Sequence, residues 1–305
     1  DALETARKAT DGLRDHVRHS SGERSKSLAS ELRLLREAII THVGLIGDKL
    51  KNLDPNSSKA RELLQESFAV GQIARSTSAA QALAKMAARF AAGDGELARL
   101  VRDRQDISEK WAEADSLLSS AILRPETQRD LKVEASLREA ADGMRAKMSE
   151  LDERIRADYP GYAELAAGPP LALAEAQGLL NAKETALVYL IGETKSFLWA
   201  ISPKSALLKQ IDVGAAALDR SVRRLRHSLA PQGIRSLEAI RPVPVKQAYN
   251  LYRDFVQPGE SLLAAENHLI VIPDGGLQSL PMSVLVTSAD SPIPTDLASH
   301  ADVPW

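Results

Sequence analysis

The residues that could do hydrolytic chemistry lie in and after one stretch of the chain, His268-Leu269-Ile270-Val271-Ile272-Pro273-Asp274-Gly275-Gly276-Leu277-Gln278-Ser279-Leu280-Pro281. Ser279 and the nearby Ser283 offer hydroxyls, His268 and His300 offer imidazoles, and Asp274 could orient a base. Their spacing argues against a nucleophilic site. The chain has no Gly-x-Ser-x-Gly elbow, and neither serine has a histidine at a recognisable distance along the sequence. Ser279 and Ser283 read as capping or packing hydroxyls. His268 and His300 read as structural, and Asp274 as a turn residue bonded to its own backbone. No catalytic residue is assigned.

Thiol chemistry is excluded outright, because the chain contains 0 cysteines. It can form no disulfide, no thiolate metal site and no cysteine nucleophile. His16 and His19 could share a helix face, but no third ligand accompanies them, so a solvated face is the better reading and no metal is expected. Gly275-Gly276 lacks the Gly-Lys-Ser/Thr of a phosphate-binding loop, and no cofactor is expected. Arg220, Arg223, Arg224 and Arg226 gather on one helix opposite an apolar stripe. Two readings of that face stay open, a solvated basic surface and a site for an acidic partner.

The His268–Pro281 stretch also says where such residues would be held. Its apolar run suits a strand buried on both faces at the centre of a sheet flanked by helices. Pro273 has no N–H and ends the ladder, and Asp274-Gly275-Gly276 supplies a turn that tolerates positive φ. Upstream, Thr185–Ile191 and Ser196–Ser202 are rich in β-branched and aromatic residues and are joined by Gly192-Glu193-Thr194-Lys195, which predicts a hairpin. Ala206–Ile211 is a candidate third strand. Leu218, Val222, Leu225 and Leu229 form a helix stripe. Another helix is expected over Val245–Val256, with Ala248, Leu251, Tyr252 and Phe255 facing in.

Residues before about 160 read as all-helical. Leu28, Leu32, Leu35 and Ile39 make one apolar stripe. Asp54-Pro55-Asn56-Ser57-Ser58 is a break with Ser57 or Ser58 as an N-cap. Helices are expected through Leu63, Phe68 and Ile73, and again from Thr77 to Ala92, whose many alanines suit close helix pairing. Leu97, Leu100, Ile107, Trp111, Ala114, Leu118 and Ala121 then lie on a heptad-like seam interrupted by Arg104. After Arg124-Pro125-Glu126-Thr127 the seam resumes at Leu137, Ala141, Met144, Met148, Leu151 and Ile155. Two such helices about a proline-containing turn predict an antiparallel coiled-coil hairpin, with arms of about 40 Å at ~1.5 Å per residue. Such an arm is either structural or a docking surface, and periodicity does not separate the two.

The fold class is therefore α followed by α/β. The expected domains are helix pairs like tetratricopeptide repeats over 1–95, a helical hairpin over 96–157, and an α/β domain over 158–305. The formal net charge of −2 gives no electrostatic case for nucleic acid. No apolar run reaches the roughly 18 residues a bilayer span needs, and no signal peptide is recognisable at Asp1.

From Asp158 onward the sequence resembles the first half of a CHAT domain, the bacterial family of caspase- and separase-like cysteine peptidases found behind tetratricopeptide helices. Asp158-Tyr159-Pro160-Gly161-Tyr162-Ala163-Glu164-Leu165 with Leu173-Ala174-Glu175-Ala176-Gln177-Gly178-Leu179-Leu180 resembles the family's entry segment. Glu184-Thr185-Ala186-Leu187-Val188-Tyr189-Leu190-Ile191-Gly192 with Phe197-Leu198-Trp199-Ala200-Ile201 resembles its first hairpin. Ala248-Tyr249-Asn250-Leu251-Tyr252, then Pro273-Asp274-Gly275 and Leu280-Pro281, resemble its next helix and strand. Upstream, Arg89-Phe90-Ala91-Ala92-Gly93-Asp94-Gly95 and Arg104-Gln105-Asp106 are similar to the helical region before such domains. No single piece is decisive; their order and spacing carry the match, over nearly half the chain.

The resemblance implies an incomplete caspase-like fold and, in the whole family, hydrolysis of peptide bonds by a cysteine–histidine dyad. Both dyad motifs lie beyond the matched residues, so no catalytic residue is carried over. The expectation is a non-catalytic portion of a CHAT-type peptidase whose helices regulate or bind partners. The alternative is a helical scaffold with a degenerate CHAT domain. The implied partner is a protein or peptide substrate, and an uncovered sheet edge would favour self-association. The compartment is open between cytoplasm and export.

Overall fold

A computed structural model describes residues 2–19, 25–75, 95–122, 124–160, 162, 170–229, 243–263, 268–292 and 303–304. The Thr77–Ala92 helix, the imidazole of His300, and the side chains of Leu28, Leu229, His16 and His19 lie outside what is described. The chain is mixed α/β and mostly helical, with one four-stranded mixed sheet. It divides into two compact units, Asp1–His42 with Ser76–Pro170, and Val43–Arg75 with Leu171–Trp305.

In the first unit, α1 (Ala2–His19) is followed by α2 (Ser25–Leu50), whose length crosses into the second unit. The buried Thr10 and His42 meet through their side chains, His42 Nδ1 lying 3.2 Å from Thr10 Oγ1. Two long helices, α4 (Glu96–Ile122) and α5 (Leu131–Asp158), pack against each other along the expected seam. Trp111, Ala141 and Met148 form one buried cluster, and Leu100, Val101 and Ile155 another. Arg104, the charged interruption, is answered from the opposite helix by Asp152 at 3.1 Å. Arg154 of α5 reaches Glu96 at the start of α4. Asp130 caps α5, its carboxylate accepting the N–H groups of Lys132 and Val133.

In the second unit, β1 (Glu184–Ile191), β2 (Ser196–Ile201), β3 (Ala206–Ile211) and β4 (His268–Ile272) are ordered β3-β2-β1-β4. The β1–β2 hairpin is antiparallel with Val188 opposite Trp199, and β3 continues it. β4 lies parallel to β1, with Leu187 opposite Val271. A short helix, α6 (Leu173–Gly178), precedes β1. A parallel neighbour needs a crossover, and α7 (Ala215–Leu229) and α8 (Val245–Phe255) lie on that connection.

Pleating sends alternate side chains to opposite faces. On one face Leu187, Tyr189, Ile191, Leu198 and Ala200 pack with Leu218, Val222 and Leu225 of α7 and with Ala248, Leu251 and Phe255 of α8. Each leucine, isoleucine, valine or phenylalanine among them stabilises the fold by ~1.5–3 kcal/mol when fully buried. On the other face Trp199 packs edge-on against Phe68 of α3 (Ser58–Ala74), ring centroids 6.3 Å apart. Its indole N–H donates to Ser67 Oγ at 3.0 Å. Gly71 permits this approach: a Cβ there would stand 2.4 Å from the indole ring. The carboxyl-terminal part of α2 also lies on this face, Gly44 against Phe197 and Gly47 against Leu208. Residues 43–75 join this unit because they cover a sheet face that would otherwise expose Trp199 and Phe197.

One expectation is corrected. The strand His268–Ile272 is not a buried central strand; it is an edge of the sheet, with Leu269, Ile270 and Ile272 exposed at 40%, 38% and 39%. β1 and β2 hold the inner positions, and β1 is almost wholly buried. Among the described residues β4 pairs with β1 alone, and only Val271 packs into the core.

Candidate functional site

The turn after β4 gathers the residues that the sequence marked out. β4 ends at Ile272, as Pro273 requires. Gly275 adopts φ +52°, a left-handed conformation that glycine enters without a Cβ penalty. The Asp274 carboxylate reaches across to β1, where Oδ2 accepts the N–H of Ile191 at 2.7 Å. Arg75, just past α3, donates to the carbonyls of Ile272 and Pro273 at 3.4 and 3.3 Å. The Gly275–Ser279 turn of 3₁₀ helix packs on α7, with Leu277 buried in the core. These bonds tie the exit of β4 to β1 and α3.

The arrangement does not assemble a nucleophile. Ser279 Oγ donates to the Gly276 carbonyl at 3.0 Å, a local turn bond. Ser283 and His268 are exposed. His268 opens β4 whereas Asp274 and Ser279 follow its far end, a separation of ~13 Å or more at ~3.3 Å per residue. The imidazole is therefore out of hydrogen-bond reach of both groups. His268 instead sits opposite Glu184 in the ladder. Hydrogen bonds from the backbone and side chain of Asn181 hold the Glu184 carboxyl below its ordinary range, and His268 adds to the effect.

Other perturbed groups serve the fold. Burial pushes the Tyr189 phenol up, and its hydroxyl donates to the Phe255 carbonyl at 2.7 Å, fastening α8 to the sheet. Burial first, then a hydrogen bond to Glu260, pushes Tyr252 up to about 12. A two-pronged bond from Arg129 holds the Glu134 carboxyl low at the start of α5. Among the described residues no group of three or more histidine, aspartate or glutamate side chains could hold a metal ion. None of the described helices is long and apolar enough to cross a membrane.

The Arg220, Arg223, Arg224 and Arg226 side chains are exposed on α7 while Leu218, Val222 and Leu225 are buried on its other side. Sequence reasoning missed the reach of Asp274 to Ile191 and of Arg75 to the β4 exit. Both join residues far apart in the chain, and no local pattern marks them. Compared with models of protein families, with curated proteins and with solved structures, the chain matches none.

Proposed function

We propose that this chain is the non-catalytic portion of a CHAT-type, caspase-like cysteine peptidase, and that its helical unit serves regulation or partner binding. The observation that carries the reading is the sheet. An antiparallel hairpin leads by helices into a strand parallel to β1, with helices on both faces and an outer edge of β4 unpaired among the described residues. Further strands of such a fold would add at that edge, and a catalytic histidine and cysteine would follow on them. The absence of cysteine excludes a dyad from this chain itself.

The test is to express the chain together with whatever its gene encodes after Trp305, and to assay cleavage of protein substrates. The reading expects a His-Gly motif and a later cysteine in that sequence, with activity abolished by Cys→Ala. A gene that encodes neither would overturn it.

A second reading, a helical scaffold without peptidase activity, is favoured by one observation. Leu117 and Ile122 near the end of α4, and Leu131 and Val133 at the start of α5, leave large apolar side chains exposed about the turn. If α4 and α5 form the coiled-coil hairpin that the seam suggests, this turn is the tip of a docking arm. Leu131→Ser with Val133→Ser should then abolish capture of a partner without unfolding the chain. Retained capture sinks this reading.

A further inference from the structure

We infer that the exposed face of α7 is a docking surface for an acidic polypeptide segment in extended conformation. The inference is independent of the peptidase reading. Arg220, Arg223 and Arg224 stand at i, i+3 and i+4, on one side of a helix whose opposite side is buried through Leu218, Val222 and Leu225. Like charges at these spacings repel, and an anion bound across them would relieve that repulsion. Arg226 lies in the last turn, where the helix dipole accounts for it. The dipole does not account for the three mid-helix arginines.

The one acidic side chain of α7 lies toward another element. Asp219 is four residues before Arg223, yet its Oδ1 lies against Gly276, close enough that a Cβ there would stand 2.4 Å away. It faces the turn after β4 and not the arginines. Some arginines on other helices pair with a carboxylate three residues away, as in Arg7–Glu4, Arg14–Asp11 and Arg145–Asp142. On α7 no such pair forms among the described residues.

The chemistry of the stripe selects the occupant. All its cations are arginines, whose planar fork pairs with carboxylates through two parallel bonds. Arg220 and Arg224 are separated by ~6 Å of helix rise. Alternate residues of an extended strand are separated by ~6.6 Å, so carboxylates at alternate positions would meet both forks. The exposed side chains of α7 are Ala216, the four arginines and His227. Among the described residues none is a phenylalanine, tyrosine or tryptophan on which a base could stack, and none is a large apolar group to enter a bilayer. The net charge of −2 also disfavours a long polyanion.

The experiment uses the full chain and a fluorescein-labelled peptide alternating glutamate and serine, followed by anisotropy at low salt. Arg220→Gln with Arg224→Gln should weaken binding at least tenfold. Arg99→Gln with Arg102→Gln, exposed on α4 beside Glu96, Asp103 and Asp106, should leave it unchanged. Far-UV circular dichroism checks that both variants are folded. Equal binding by wild type and the α7 variant overturns the inference, as does equal weakening by the α4 variant. Tighter binding of duplex DNA or of phosphatidylserine vesicles at the same salt overturns it as well.

Discussion

Ser67→Ala tests the layer that the sequence did not disclose. Ser67 and Trp199 are both fully buried. Ser67 Oγ donates to the Leu64 carbonyl at 2.7 Å and accepts the Trp199 indole N–H at 3.0 Å. Removing the hydroxyl leaves that N–H buried without an acceptor, at a cost of ~1–3 kcal/mol. Alanine's better helix propensity returns about 0.5 kcal/mol, so a net loss of ~1–2 kcal/mol is expected. For a unit of this size that lowers Tm by about 2–4 °C per kcal/mol. Trp199→Phe removes the donor and keeps most of the ring. In that background Ser67→Ala should be neutral or slightly stabilising, giving a coupling of ~1–2 kcal/mol in a double-mutant cycle. Denaturation followed by far-UV circular dichroism measures all four proteins without relying on the indole as reporter. Additive losses, or no loss in the single Ser67→Ala variant, would refute the packing of α3 on this face of the sheet.

Other perturbations follow from the same structure. Gly275→Ala places a side chain at φ +52° with its Cβ 3.3 Å from Ile191, and should cost ~1–3 kcal/mol in urea denaturation. Met148→Ala empties the fully buried centre of the α4–α5 seam, and ~2–5 kcal/mol of stability should be lost. Arg129 holds Glu134 below the ordinary carboxylate range. The stability this provides is present above the unfolded-state pKa and is lost as pH falls through the folded one, so Glu134→Gln should flatten the acid limb of the stability profile below about pH 4. Tyr252 is raised from 10.0 to about 12, so its stabilisation holds below pH 10 and fades as pH rises toward 12. Tyr252→Phe should accordingly remove one late-titrating phenol from the 295 nm absorbance curve.

Local pattern disclosed a large part of the secondary structure. The seam through Trp111, Ala141 and Met148, the stripe through Leu218, Val222 and Leu225, the β1–β2 hairpin, the Ser57 cap and the stop at Pro273 all depend on neighbours within a few positions. Their residue types and spacing suffice to specify them. The candidate site was legible to the same extent. The turn glycine and the local bond of Ser279 follow from the sequence, while the reach of Asp274 to Ile191 and of Arg75 to Pro273 does not.

Sheet order and layer assignment were decided by tertiary structure. Leu269-Ile270-Val271-Ile272 has the composition of a buried central strand, yet among the described residues it lies at the edge, because strand position depends on which strands pair with it and not on its own composition. The β1–β2 hairpin claims one side of β1 and leaves β4 the other. Likewise the helix at 58–74 has the apolar pattern of a repeat helix. It packs on the sheet because Gly71 and Ser67 fit the shape and the hydrogen-bond donor of Trp199, more than 120 residues away in sequence. Periodicity states that a face will be buried. The shape and polar groups of a distant surface determine what buries it.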